Sequence, residues 1–160
     1  MNIIKAPVRI RGLPQRPTVF LAGSIDMGSA VEWQTRLERE LEYFPGTIYN
    51  PRRDDWDSSW EQKDSDPQFR AQVDWELDFI EHSNHVFMFI SKDSKAPISL
   101  LEFGYIVSGE QDPDKLFICV EEGFYRRGNI EVLCRRQGIK LYSNLDAAIE
   151  AFKIKLASTL

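Results

Sequence analysis

The chain has 160 residues, with 20 Lys and Arg against 25 Asp and Glu and a formal net charge of -5. That acidic balance speaks against a nucleic-acid footprint, and the basic pairs Arg52-Arg53, Arg126-Arg127 and Arg135-Arg136 are too scattered to build one. A hydrophobic share of 42% and a charged share of 28% are ordinary for a globular protein, and the length suits one domain, residues 1–160, with a full core. No apolar run approaches the ~20 residues of a membrane-spanning helix. Met1-Asn2-Ile3-Ile4-Lys5 has no signal-peptide pattern, so a cytoplasmic location is expected. Cys119 and Cys134 lack metal-ligand spacing and read as buried thiols.

Residues 1–17 carry three prolines and four basic residues, the composition of an irregular lead-in or an edge strand. Thr18 to Ala22 is a β-rich apolar run that ends at Gly23-Ser24. A helix is expected next, with Ser29 and Glu32 as a capping box and Val31, Leu37, Leu41 and Phe44 at helical spacing, stopped by Pro45-Gly46. Thr47-Ile48-Tyr49 is the second strand. The polar stretch Asn50 to Pro67 follows. Connections this long in compact domains are functional or disordered, and Trp56 and Trp60 favour a folded flap.

Beyond it, Phe69 to Glu81 reads as a helix with the stripe Phe69, Val73, Leu77 and Ile80. Val86 to Ile90 is a strand, Ile98 to Val107 a helix, and Leu116 to Val120 a fourth strand. Ile130 to Gln137 is a helix, Ile139 to Leu141 a fifth strand, and Asn144 or Asp146 caps a last helix reaching Leu156. Strands that are continuous apolar runs, alternating with helices, predict a parallel sheet covered on both faces. Five strands and right-handed crossovers favour a flavodoxin-like doubly wound five-stranded α/β sheet, whose ligands sit at the carboxyl ends of the strands.

Two acids stand out. Glu102 lies in an otherwise apolar helical turn with Ile98, Leu101 and Phe103, where an ionised group is costly without a partner or a purpose. Glu76 flanks the apolar face of its helix and, if turned inward, would pair with Glu102 at one cleft. Such a pair suits acid–base or nucleophilic work at an acetal-like carbon. Gly23, Ser24 and Asp26 follow the first strand, where amides could hold a hydroxyl or an anion, although Asp26 disfavours phosphate. His82 and His85 bracket Asn84 at a helix end and read as surface or capping residues, and no metal site or cofactor is expected.

Four segments, Phe20-Leu-Ala-Gly-Ser-Ile25, Asn50-Pro-Arg-Arg-Asp54, Gln72-Val-Asp-Trp-Glu76 and Ile98-Ser-Leu-Leu-Glu-Phe-Gly-Tyr105, together resemble the nucleoside 2-deoxyribosyltransferase family. The resemblance spans about residues 18–156 and implies a flavodoxin-like domain that cleaves the N-glycosidic bond of 2′-deoxynucleosides. By that resemblance Glu102 is the nucleophile, Glu76 serves proton transfer near the base, and Gly23 and Ser24 line the pocket. It also implies that Asn129 completes a neighbour's site in a homo-oligomer, with a deoxynucleoside and a free nucleobase as partners, and neither nucleic acid nor membrane. The sequence departs from the family pattern at Lys95-Ala96-Pro97, where better-studied relatives carry a base-recognising aspartate. Recognition is then expected from the long loop, with Trp56 stacking and Asn50, Arg53, Asp54 and Asp55 as polar contacts. Ser99 and Tyr105 on the Glu102 helix are further expected contacts. Two rival functions share the same residues: a nucleoside 5′-monophosphate N-glycosidase using Ser24, Ser99 and Lys95, and a non-catalytic nucleotide-binding domain.

Overall fold

The computed structural model describes residues 1–24, 32–53, 55–110 and 112–159. Its strands are β1 (Asn2–Lys5), β2 (Thr18–Gly23), β3 (Thr47–Asn50), β4 (His85–Ile90), β5 (Leu116–Val120) and β6 (Leu141–Tyr142). The helices are α1 (Trp33–Glu40), α2 (Pro67–His82), α3 (Pro97–Gly109), α4 (Arg127–Gln137) and α5 (Leu145–Ala157). The strands form one parallel sheet in the order β1-β3-β2-β4-β5-β6. Strands β3-β2-β4-β5-β6 reproduce the flavodoxin-like order expected from the alternation of elements. The sixth strand, β1, comes from the lead-in. It pairs with β3 alone, Ile3 opposite Ile48, so of the two readings of that segment the edge strand is the one realised.

Side chains of successive strand residues leave opposite faces, and each face here builds its own core. Phe20, Ala22, Val86, Met88 and Ile90 join Trp75, Phe103, Ile106 and Ile130, the layer of α2, α3 and α4. Val19, Leu21, Phe87 and Phe89 join Trp33, Leu37, Ile149 and Phe152, the layer of α1 and α5. Burial on both sides is why β2, β4 and β5 read as unbroken apolar runs. Cys119 and Cys134 are buried free thiols, and burial pushes them up to about 12 and about 11. Among the described residues no helix is long and apolar enough to cross a membrane.

Several boundaries differ from expectation for local reasons. Ser29 and Val31 lie outside the described residues. Helix α1 begins at Trp33, with Glu32 at the cap position making no side-chain cap bond, and it ends at Glu40 rather than Phe44. The fifth expected strand, Ile139 to Leu141, is displaced to Leu141–Tyr142. Gly138 takes the left-handed conformation at φ 69° and the Ile139 amide bonds back to the Cys134 carbonyl, so Ile139 closes α4 instead of entering the ladder. Asn144 caps α5, its side chain accepting from the amides of Asp146 and Ala147.

Two corrections bear on the site. The inward face of α2 is Gln72, Trp75 and Ile80 with Phe79, not the stripe Phe69, Val73 and Leu77. Trp75 decides this, because it is fully buried among Phe20, Tyr49 and Phe79, with its indole N–H donating to the Val8 carbonyl at 2.9 Å. The large area of a fully buried indole outweighs Phe69 and two aliphatic residues in setting the rotation of the helix. On α3, Ser99, Phe103, Ile106 and Val107 face the core, while Ile98 and Leu101 are 60% and 71% exposed. Glu102 therefore does not lie among Ile98 and Leu101 in an apolar interior. It sits at the flank between the buried and the open face.

Candidate active site

The carboxyl end of β2 brings the first residues. Gly23 has φ +133°, and a Cβ there would lie 2.0 Å from the Phe89 carbonyl oxygen of β4. Its glycine is required by a strand neighbour, whatever ligand also approaches. Ser24 is buried and its hydroxyl is already engaged. The Ser91 amide donates to Ser24 Oγ at 3.2 Å, the Ser24 and Ser94 hydroxyls lie 2.7 Å apart, and Ser94 Oγ donates to the Ser91 carbonyl at 3.0 Å. With Ser94 spent on that carbonyl, Ser24 is the donor to Ser94. The ring is closed, and it staples the loop after β2 to the loop after β4. Trp33 Nε1 adds α1 to the staple through the Ser24 carbonyl at 3.1 Å. Asp26 lies outside the described residues.

The end of β3 opens the long loop. Asn50 is buried; its Nδ2 donates to Glu38 Oε1 at 2.8 Å and its Oδ1 accepts the Arg52 amide at 2.9 Å, so the side chain builds the turn. The loop is folded, as its tryptophans suggested. Arg53 makes two bonds of 2.9 Å to Asp55 and lies 4.9 Å over the Trp60 ring, and Trp56 meets Trp60 edge-on at 5.0 Å. Hydrogen bonding to Arg53 holds the Asp55 carboxyl below its ordinary range. Asp66 accepts from the amides of Glu61, Gln68 and Phe69, which ends the loop and starts α2. Asp54 lies outside the described residues.

Glu76 of α2 and Glu102 of α3 are near enough for the charge of Glu76 to act on Glu102. Burial lifts Glu76 to about 7, against the opposing pull of a hydrogen bond from Gln72. Burial, and then the charge of Glu76, lift Glu102 to about 8. Two carboxyls that repel each other and are short of water both resist ionising, and their titrations are linked. Gln72 Nε2 donates to Glu76 Oε1 at 2.7 Å and to the Pro51 carbonyl at 3.0 Å.

Other expected contacts lie elsewhere. The Tyr105 hydroxyl donates to Glu81 and lines a cavity of about 300 Å³ at the amino ends of β4 and β5, with Asn84, His85 and Leu116. Tyr105 is thus not brought to Glu102. His82 Nδ1 lies 2.6 Å from the Asp78 carbonyl, in keeping with a capping role. His85 is instead buried, because β4 starts one residue before Val86 and its ring packs against Phe117 and Phe152. Ser99 is buried in the first turn of α3, and Asn129 is exposed near the start of α4. Sequence reasoning missed Gln72 as a site residue, although its spacing of four from Glu76 on one helix was a usable signal. Nothing in the sequence singled out Ser91 and Ser94 within their loop.

A flavodoxin-like sheet whose flanking helices keep two acids out of water, near enough for their charges to interact, carries the residue types that glycosidic chemistry uses. The chain belongs to the nucleoside 2-deoxyribosyltransferase-like family, whose model matches residues 16–124. Glycosyl transfer is the general chemistry of that family name. The matched span contains β2 to β5, Glu76 and Glu102, while Asn129 falls beyond it. Among curated proteins none matches the chain.

Proposed function

We propose that this protein cleaves the N-glycosidic bond of 2′-deoxynucleosides through a covalent deoxyribosyl–Glu102 intermediate. The observation that carries the reading is the coupled Glu76–Glu102 pair, in a chain of this family. Ionised Glu102 attacks C1′, forming a C1′–O bond as the C1′–N bond breaks, and the departing base takes the proton of Glu76. A second base, or water, then attacks C1′, returns its proton to Glu76 and frees Glu102. A base nitrogen that accepts from Glu76 favours the proton on that acid and leaves Glu102 ionised to attack. The loop's Trp56 and Trp60 supply an aromatic surface for the base, held in place by the Arg53–Asp55 pair.

Incubation with each deoxynucleoside, with and without a second base, tests this directly. An exchanged nucleoside marks a transferase and free deoxyribose a hydrolase; intact deoxynucleosides throughout would sink the reading. The pH profile is a second check. Both a protonated and an ionised carboxyl are needed, so kcat/KM is expected to be bell-shaped with its top between about 7 and about 8. A profile that peaks near pH 5 would contradict the pair.

Helix α3 starts without a side-chain cap, and its first-turn amides favour a second reading in which the substrate carries a 5′-phosphate. Comparing base release from a deoxynucleoside and from its monophosphate separates the two. The reading also includes a homo-oligomer. Ile98, Leu101 and Tyr105 expose an apolar stripe on the helix that carries Glu102, and Tyr125 is exposed beside it, its hydroxyl donating to the Lys95 carbonyl. In this reading a second copy covers that stripe and Asn129 completes a neighbour's pocket. Sedimentation should show a dimer or larger for the native chain and a monomer for Leu101→Glu. A native monomer at working concentration would remove this part of the proposal.

A further inference from the structure

The site has a polar residue whose arrangement core packing does not explain. Gln72 is 5% exposed, and its amide orientation is fixed because the Pro51 carbonyl can only accept. One Nε2 proton therefore goes to Pro51 and the other to Glu76, and among the described residues Oε1 is buried with no partner. Orphaned buried acceptors are uncommon and each calls for a reason. Methionine would fill the same volume and strand no acceptor. The amide's two donors, spent together, are what the apolar residue could not supply.

We propose that Gln72 is a positioning residue, which ties the Glu76 carboxylate to the Pro51 carbonyl and so fixes the acid of α2 against the turn that opens the 51–66 loop. This rests on the reading of Glu76 as the acid that serves the base. Pro51 directly follows Asn50, whose side chain is bonded to Glu38 and to the Arg52 amide, so the tie reaches a rigid turn at the end of β3. The loop offered to the base and the acid offered to the base are thereby held as one unit. Among the described residues, the charged group that faces Glu76 from a neighbouring helix is Glu102 of α3. Arg52 and Arg53 of the loop are turned to Glu32 and Asp55. The Gln72 amide is the group whose hydrogen bond favours the ionised form of Glu76.

The test is Gln72→Met in the full chain, read by ¹³C titration of the glutamate carboxyls and by kcat/KM against pH. Loss of a donor to the ionised form raises an acid's pKa. The Glu76 midpoint should therefore move above its native value and the kcat/KM profile toward higher pH, with a fall of about 10²-fold, the scale expected of a misplaced catalytic group. In a Glu76→Ala background the same change should cost nothing further, because residues acting through one partner are not additive. An unmoved Glu76 titration, or an equal loss of rate in both backgrounds, overturns the proposal. Should Gln72→Met fail to fold, Gln72→Glu keeps the shape, loses the donors when ionised and should raise the Glu76 midpoint further. If the native chain releases base from no nucleoside, the functional reading falls, and the carboxyl titration alone decides the role of Gln72.

Discussion

Glu102→Gln is expected to stop base release while making the protein more stable at pH 8. The loss of rate should be on the order of 10⁴-fold or more, the scale seen when a covalent nucleophile is removed and binding alone remains. The stability gain follows from the same feature. Glu102 is lifted to about 8 by burial and by the charge of Glu76. Between the ordinary carboxylate range and that value, the folded state binds a proton that the unfolded chain has lost. Stability therefore falls as pH rises through this window. Glutamine has nothing to ionise and also relieves the repulsion on Glu76. The melting temperature of the variant should equal that of the native chain near pH 4 and exceed it at pH 8. Burial keeps His85 neutral, which contributes a pH dependence of opposite sign, but it is common to both proteins and cancels in the comparison. Full activity in Glu102→Ala would refute the nucleophile. A melting curve at pH 8 that is lower for Glu102→Gln than for the native chain would refute the buried, repelled carboxyl.

How far the sequence revealed this site depended on the physics behind each residue. Strands buried on both faces must be apolar at every position, so β2, β4 and β5 were readable, and their alternation with helices carried the topology. Glu102 was conspicuous because acids are rare in apolar turns. Its surroundings were misjudged, since α3 is apolar all round and periodicity could not tell the packed side, Phe103 and Ile106, from the open one, Ile98 and Leu101. Helix α2 misled for the opposite reason. Its inward face contains Gln72 and Glu76, so the aliphatic stripe Val73 and Leu77 looked more like a core face than the true one. Contacts between residues distant in the chain left no local trace. The Ser24–Ser94 pair joins residues 70 apart, and the Gln72–Pro51 bond joins residues 21 apart. Tyr105 was placed at the site by its closeness to Glu102 in sequence, yet three residues carry it nearly a turn further along α3, toward the amino ends of β4 and β5, where its hydroxyl donates to Glu81.

Gly23→Ala is expected to prevent folding altogether, although it adds one methyl group. A residue with a side chain is strained at φ +133° by about 1–3 kcal/mol before any contact is counted. The added Cβ would also stand 2.0 Å from the Phe89 oxygen and 2.9 Å from its nitrogen, closer than such atoms approach. Relief would require β2 and β4 to part. That pair is the centre of the sheet, Gly23 opposite Phe89, and the Ser24 amide bonds to the same Phe89 oxygen at 2.9 Å. Separating the strands there breaks that bond and draws Ser24 away from Ser91 and Ser94, so the staple across the site goes with it. Domains have only about 5–15 kcal/mol in hand, and strain plus a backbone clash in the central pair consumes most of it. The same substitution at Gly104 provides the control. That glycine sits within α3, and a Cβ there meets nothing within 4 Å, so alanine should stabilise the helix by about 1 kcal/mol. Circular dichroism and thermal melts of the two variants should therefore diverge, one unfolded and the other melting higher than the native chain. A folded Gly23→Ala with native melting behaviour would show that β2 and β4 do not approach as closely as the sheet requires.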